Sequence, residues 1–167
     1  MTVHIVPHAV DVGFSAMTAA GILSVTNGSG IIGRLAIGFS ADRIGARRIL
    51  TACLVALTLA LIWLLFAREI WAFYTFAVVF GVAWGGIASL LPLIPAELFG
   101  LGSLGIIFGS VHFLGIVGGA VGPFLAGSIF DITGSYRLAL LIFAATGALA
   151  SILSLLLLKA KGWRGGG

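Results

Sequence analysis

The chain is 167 residues long, 60% hydrophobic and 8% charged, with a mean hydropathy of +1.24. A soluble domain of this length carries about 25% charged residues, so the composition excludes that class and points to an integral membrane protein. The net charge of +4 is not a nucleic-acid footprint, because the basic residues sit at the ends of apolar runs and form no stripe with stacking aromatics.

Met1 to Ser15 lacks the basic start and apolar core of a cleavable signal and carries His4, Pro7, His8 and Asp11. It is too short to span a bilayer. Val3 to Ala9 reads as the tail of a membrane helix whose earlier part lies outside this chain, with a short surface segment as the alternative. Ala16 to Ser40 is the first full span, since about 20 apolar residues rising 1.5 Å each cover a ~30 Å hydrocarbon core. Its Gly21, Gly28, Gly30, Gly33 and Gly38 weaken a lone helix but allow close backbone approach in a bundle. Asp42, Arg43, Arg47 and Arg48 then lie at a membrane surface, and the positive-inside rule puts that surface in the cytoplasm.

Ile49 to Ala67 is the second span, Leu-rich and without Gly, so its surface suits lipid. Its lone Cys53 offers neither a disulfide nor a metal-ligand spacing and reads as a small buried or lipid-facing residue. Trp71 to Leu91 is the third, with Gly81, Gly85 and Ser89 as an expected helix-contact row; Pro92 and Pro95 are expected to end it before Glu97. Leu104 to Phe130, the fourth, is rich in glycine. Gly109, Gly118, Gly122 and Pro123 are assigned there to helix packing and bending. After a turn at Asp131 to Ser135, Tyr136 to Leu158 is the fifth, followed by Lys159, Lys161 and Arg164 and a disordered or truncated end. With the Arg43 loop inside, the basic tail also falls inside, while Arg68 and Arg137 fall outside. The expected organisation is a helix tail and external loop over 1–15, a transmembrane bundle over 16–158 and a cytoplasmic tail over 159–167.

Gly38, Ala41, Asp42, Arg43, Gly45, Arg47 and Leu50 resemble the loop signature of the major facilitator superfamily, with departures at Ser40 and Ala46. The resemblance implies an all-α membrane protein of five transmembrane helices plus a stub of a sixth, half of a twelve-helix fold. Two features favour the C-terminal half. The third span lacks the Arg usual in the fourth family helix, and Gly122, Pro123, Gly127, Asp131, Gly134, Ser135, Tyr136 and Arg137 are similar to the connection between the eleventh and twelfth helices. On that register helices eight, ten and eleven surround the cavity and helices nine and twelve lie outside. The spacing of Gly109, Gly118, Gly122, Pro123 and Gly127 also resembles the antiporter signature of helix five, the symmetry counterpart of helix eleven, with Ala126 where a Gly is usual. His4, Pro7, Asp11, Gly33, Arg34, Gly38 and Asp42 look most like bacterial oxalate/formate antiporter and monocarboxylate transporter relatives. In those an Arg eight residues before the loop acidic residue binds substrate carboxylate, and Arg34 holds that position.

Arg34 lies six residues inside Ser40, about 9 Å along the axis. An intramembrane charge is costly unless paired or solvated, so it is either functional or snorkelling to the headgroups. Ala20, Ser24, Asn27, Arg34, Gly38 and Ala41 share one small, polar helical face. His112 lies eight residues inside Leu104, about 12 Å by rise, and either contacts substrate and protons or packs as a satisfied histidine. Oxalate-type relatives have a Lys in this helix, which this chain lacks. Trp84 and Tyr74 are candidates to line the cavity against a packing role; Trp63, Trp71 and Trp163 fit interfacial anchors. Asp11, Glu97 and Asp131 fit solvated or capping roles.

No phosphate loop, metal cluster or activated nucleophile stands in the sequence, so no enzyme, cofactor or metal is expected. The expected protein is the C-terminal half of a secondary active transporter moving small organic anions, monocarboxylates or small dicarboxylates, by alternating access. Its substrate contacts would be Arg34, His112, Asn27 and Trp84. Its partners would be the anion, membrane lipid and a missing N-terminal half, with no nucleic acid. An inactive truncated fragment and a half-size subunit are the alternatives. The expected location is a bacterial inner (plasma) membrane with the C-terminus in the cytoplasm.

Overall fold

A chain in hydrocarbon must satisfy its backbone hydrogen bonds within itself, and this sequence does so with helices. The computed structural model describes residues 9–10, 13–134 and 136–161. The stub expected over Val3 to Ala9 lies outside the described residues except for its last residue, as do Asp11, Ser135, Trp163, Arg164 and the terminal glycines. Five long helices follow one another: α1 Ala16–Ile44, α2 Ala46–Phe66, α3 Ile70–Phe99, α4 Leu104–Thr133 and α5 Arg137–Lys161. A three-residue 3-10 turn at Leu101–Ser103 leads into α4. All five are long and apolar enough to cross a membrane, and no strand occurs among the described residues.

Local chemistry sets the ends. Ser15 Oγ accepts the Thr18 N–H at 3.2 Å and starts α1. Gly45, at φ 100°, is the whole connection between α1 and α2. Asp42 and Arg43 therefore extend the last turn of α1, and Arg47 and Arg48 sit in the first turn of α2, where a loop was expected. Arg43 complements the C-terminal end of the α1 dipole, whereas Arg47 and Arg48 oppose the N-terminal end of α2. The helix dipole does not account for those two; a place at the membrane surface does. The N-terminus of α2 receives no side-chain cap, from Asp42 or any other residue.

The third helix corrects the expected stop at Pro92. It runs through Pro92 and Pro95 to Phe99. Each proline removes one N–H, a local loss that a membrane helix tolerates when neighbours pack around it, whereas ending there would orphan several groups at once. Pro95 is buried, and beside it Leu90, Leu93 and Ile94 pack against Ala41 and Ala46.

Packing is tightest between α1 and α3. Gly21 approaches Tyr74, Gly30 faces Gly81 and Gly85, Gly33 faces Val82, and Ile37 lies on Gly86. Both numbers of each pair rise together, so the helices run parallel. Ser29 Oγ ties them, donating to the Ala77 carbonyl at 3.2 Å and to Thr26 O at 3.0 Å. The buried row on α1 is Ile22, Thr26, Ser29 and Gly33, at steps of four, three and four.

The second helix is not all lipid surface. Thr51 Oγ1 meets Ser154 Oγ at 2.6 Å and Thr58 Oγ1 meets Ser151 Oγ at 3.3 Å, pairing α2 with α5 antiparallel. Trp63 Nε1 donates to Ala72 O at 3.2 Å, and its ring meets Trp71 edge-on with centroids 5.7 Å apart, closing the α2–α3 turn. A core of Ile22, Leu64, Phe73, Phe76 and Leu140 gathers α1, α2, α3 and α5. By contrast, α4 buries only Ala126, and Gly105, Gly109, Gly115, Gly118, Gly119 and Gly127 meet open space.

A Cβ at Gly85 would run into the Gly30 carbonyl, whereas one at Gly118 would meet nothing. In the purified chain, Gly85→Ala is expected to lower unfolding stability by about 1–3 kcal/mol through overpacking. Gly118→Ala should be neutral or stabilising by up to about 1 kcal/mol from helix propensity. Detergent-denaturation curves of the two variants beside the parent check this contrast.

Candidate functional site

Arg34 lies one residue and about 100° round the helix from Gly33 and four residues on from Gly30, so it flanks the seam on the Gly30 side. It is exposed, as are Asn27, Ser24 and Ala20 on the same side. The rest of the expected polar face is not uniform. Gly38 is half-buried, 3.9 Å from Ser89 Oγ by an added Cβ, and Ala41 is buried near Leu90.

Trp84 comes to the same level as Arg34 because of the parallel register. It lies between Val82, which meets Gly33, and Gly86, which meets Ile37. It is 56% exposed, yet its ring is held. Phe76 and Phe80 stack with centroids 5.0 Å apart, and Phe80 and Trp84 continue the ladder at 6.3 Å and 11°. That row leads from the buried core to the open end of Trp84, so the indole is a rigid platform at an otherwise open position. Tyr74, the other aromatic candidate, is half-buried against Gly21 and belongs to the α1–α3 seam.

His112 is exposed on α4 and stacks with Phe108 on its own helix, centroids 5.5 Å apart and planes 17° apart. The structure thus places Arg34, Asn27 and Trp84 on open positions of the α1–α3 pair and His112 on α4. It shows no direct bond among the four. Of the packing residues, Gly81 and Gly85 carry the α1 contact, Gly122 lies 3.7 Å from the Phe143 ring by an added Cβ, Pro123 is half-buried, and Gly109 and Gly118 have no neighbour. In the loop signature, Gly45 makes the turn, Gly38 approaches Ser89, Asp42 and Arg43 are exposed, and Arg47 is half-buried. Arg43 lies over the Phe39 ring at 4.4 Å, a cation–π contact at the helix end. No group of three or more potential metal ligands occurs among the described residues.

Sequence reasoning missed Ser29 as the bridge to α3 and the Thr51–Ser154 and Thr58–Ser151 pairs. The signal for Ser29 was its place in a row of small residues ending at Gly33. The threonines gave none, since each also bonds the carbonyl four residues back, at 3.0 Å for Thr51 and 2.9 Å for Thr58, as an isolated helix would allow.

The sequence profile of the Major Facilitator Superfamily matches residues 2–164. Among curated proteins, the chain is 30% identical to monocarboxylate transporter 12 of Homo sapiens, over 90% of the chain and 30% of that protein. It is 33% identical to the Rattus norvegicus monocarboxylate transporter 12, over 90% of the chain and 32% of that protein. With monocarboxylate transporter 7 of Homo sapiens the identity is 29%, over 90% and 30%. The chain therefore spans about a third of the length of the curated relatives it matches.

The open setting of Asn27 and His112 has a consequence for stability. Asn27→Ala and His112→Ala should each change the unfolding free energy of the chain by less than about 0.5 kcal/mol. Phe76→Ala, at the root of the aromatic ladder, should cost about 3–5 kcal/mol. Thermal unfolding in one detergent, read for all three variants, tests the difference.

Proposed function

The chain belongs to the major facilitator superfamily, and from that premise we propose that it is the C-terminal half of a secondary transporter that moves small organic anions by alternating access. The observation that carries this reading is Arg34. It is a cation inside an apolar span, exposed on the open side of α1, with a stacked tryptophan at its own level. A planar guanidinium forms two parallel hydrogen bonds to a carboxylate. The relatives are named monocarboxylate transporters, which agrees with that chemistry. Monocarboxylates and small dicarboxylates both fit one guanidinium; Asn27 and His112 supply further hydrogen-bonding groups, and Trp84 an apolar wall.

The exposed α4 supports a second bundle facing this one. Six glycines with open space beside them allow another helix to approach closely, and alternating access works by rocking two such units about a shared site. The second bundle belongs to the same polypeptide or to a separate subunit. A gene for a six-helix partner directly upstream would favour the subunit reading, and an isolated gene without one the inactive fragment.

Orientation follows from the charges. We place the Arg43–Arg48 turn and the C-terminus in the cytoplasm, on the arginine excess there. With Cys53 replaced by Ala, a cysteine at exposed Arg48 should react with an impermeant maleimide only from the cytoplasmic side. One at exposed Glu69 should react only from outside. The reverse pattern inverts the topology.

Substrate affinity of Arg34 variants in the complete transporter, at matched membrane expression, tests the site. Arg34→Lys keeps the charge but loses the two-point fit, and should weaken binding. Arg34→Ala should cost about 2–5 kcal/mol, the loss seen when one partner of a shielded charge pair is removed. If Arg34 only snorkels, lysine reaches the headgroups as well and the first replacement is silent. Parent-like affinity in both variants removes the anion reading.

A further inference from the structure

A groove of about 460 Å³ runs where α1, α2 and α3 meet, lined by Ile37 of α1, Ala52 and Ala56 of α2, and Val79 and Val82 of α3. Its polar wall atoms are few. Ser40 already donates its hydroxyl to the Ala36 carbonyl at 2.7 Å, and the other is the Cys53 thiol, a weak hydrogen-bonding group. Water gains little in such a space, while hydrocarbon loses nothing. On α2 the lining runs from Ile49 to Ala56, about 10 Å along the axis from the arginine end of the helix.

That end carries the charge. Arg48, Ala52 and Ala56 form one row at steps of four, so Arg48 stands at the head of the α2 wall, and its Cα–Cβ bond tilts toward the helix N-terminus and out of the bilayer. Across the turn, Arg43 follows Ser40 by three residues on α1, with its guanidinium over the Phe39 ring. Both arginines are exposed. An apolar slot with two cations at its mouth complements one kind of molecule in a membrane.

We infer that this groove is a binding site for an anionic phospholipid, with an acyl chain between α1, α2 and α3 and the phosphate between Arg43 and Arg48. A lipid seated there would bridge both sides of the one-residue Gly45 turn. The site is separate from Arg34 and does not depend on what the transporter carries. The Phe39 ring beneath Arg43 holds one guanidinium at the end of α1, and small Ala52 and Ala56 keep the slot open.

The chain in phosphatidylcholine vesicles, doped with a phosphatidylglycerol analogue bearing a diazirine in its acyl chain, tests this by photolysis and mapping of attachment sites. Attachment should concentrate on Ala52, Ala56, Val79 and Val82 rather than on exposed Leu155 to Leu157 of α5. Arg43→Gln combined with Arg48→Gln should reduce groove attachment about fivefold or more. The same double variant should leave attachment of the matching phosphatidylcholine analogue unchanged. Ala56→Phe should remove groove attachment with both arginines intact; if that variant does not insert, the arginine pair, which lies outside the apolar lining, decides. Even labelling of all lipid-exposed helices means annular lipid only and overturns the inference. So does equal labelling by the two headgroups, or parent-like labelling of the double variant.

Discussion

The approach of α1 to α3 through their glycines is the contact on which the rest depends. Hydrocarbon gives two apolar helices no solvent-driven reason to associate, so the attraction must come from close packing and from hydrogen bonds. Gly33 against Val82 and Gly85 against Gly30 bring backbones together, and Ser29 adds a hydroxyl between the helices. Such contact has one register. A shift by a single residue would put Ile32 or Arg34 where Gly33 now meets Val82, and the seam would open. The register in turn fixes the level of Arg34 against Trp84 and leaves Arg34 exposed beside the seam, so the candidate site is a geometrical consequence of the packing seam.

Much of this was legible. Five spans, their order and the Gly81–Gly85 row stand in the sequence because apolar length and small-residue spacing are one-dimensional signals. What a glycine row cannot say is who fills it. The fourth helix has more glycines than the first, yet its Gly109 and Gly118 have no neighbour while Gly33 and Gly85 are pressed against backbone. A glycine permits approach from any direction, and only the three-dimensional order of helices chooses one. Pro92 and Pro95 misled for a related reason, since their breaking power is calibrated in water and α3 continues through both in a packed apolar setting.

The candidate site was legible in part. Arg34 declares itself by its cost in an apolar run, which any reading of the sequence registers. Trp84 does not, because its relation to Arg34 passes through the parallel alignment of two helices separated by a third. The hydroxyl pairs Thr51–Ser154 and Thr58–Ser151 were invisible for the opposite reason: a threonine that bonds its own helix looks satisfied, and nothing in its spacing announces a second partner.

The distribution of polar groups divides the bundle. Those of α2 and α5 meet each other, Thr51 with Ser154 and Thr58 with Ser151, and ask for nothing more. On α1 and α4, Arg34, Asn27 and His112 are exposed while Thr26 and Ser29 are taken up in the seam, and α4 presents glycines that leave gaps against lipid tails. A guanidinium in hydrocarbon and a notched helix face are separate energetic problems, one of electrostatics and one of lost dispersion. Water alone would relieve the first and lipid alone neither. The second helical bundle proposed above, set across a polar cavity, would relieve both, since its helices would fill the notches at the rim while the cavity would solvate the charge.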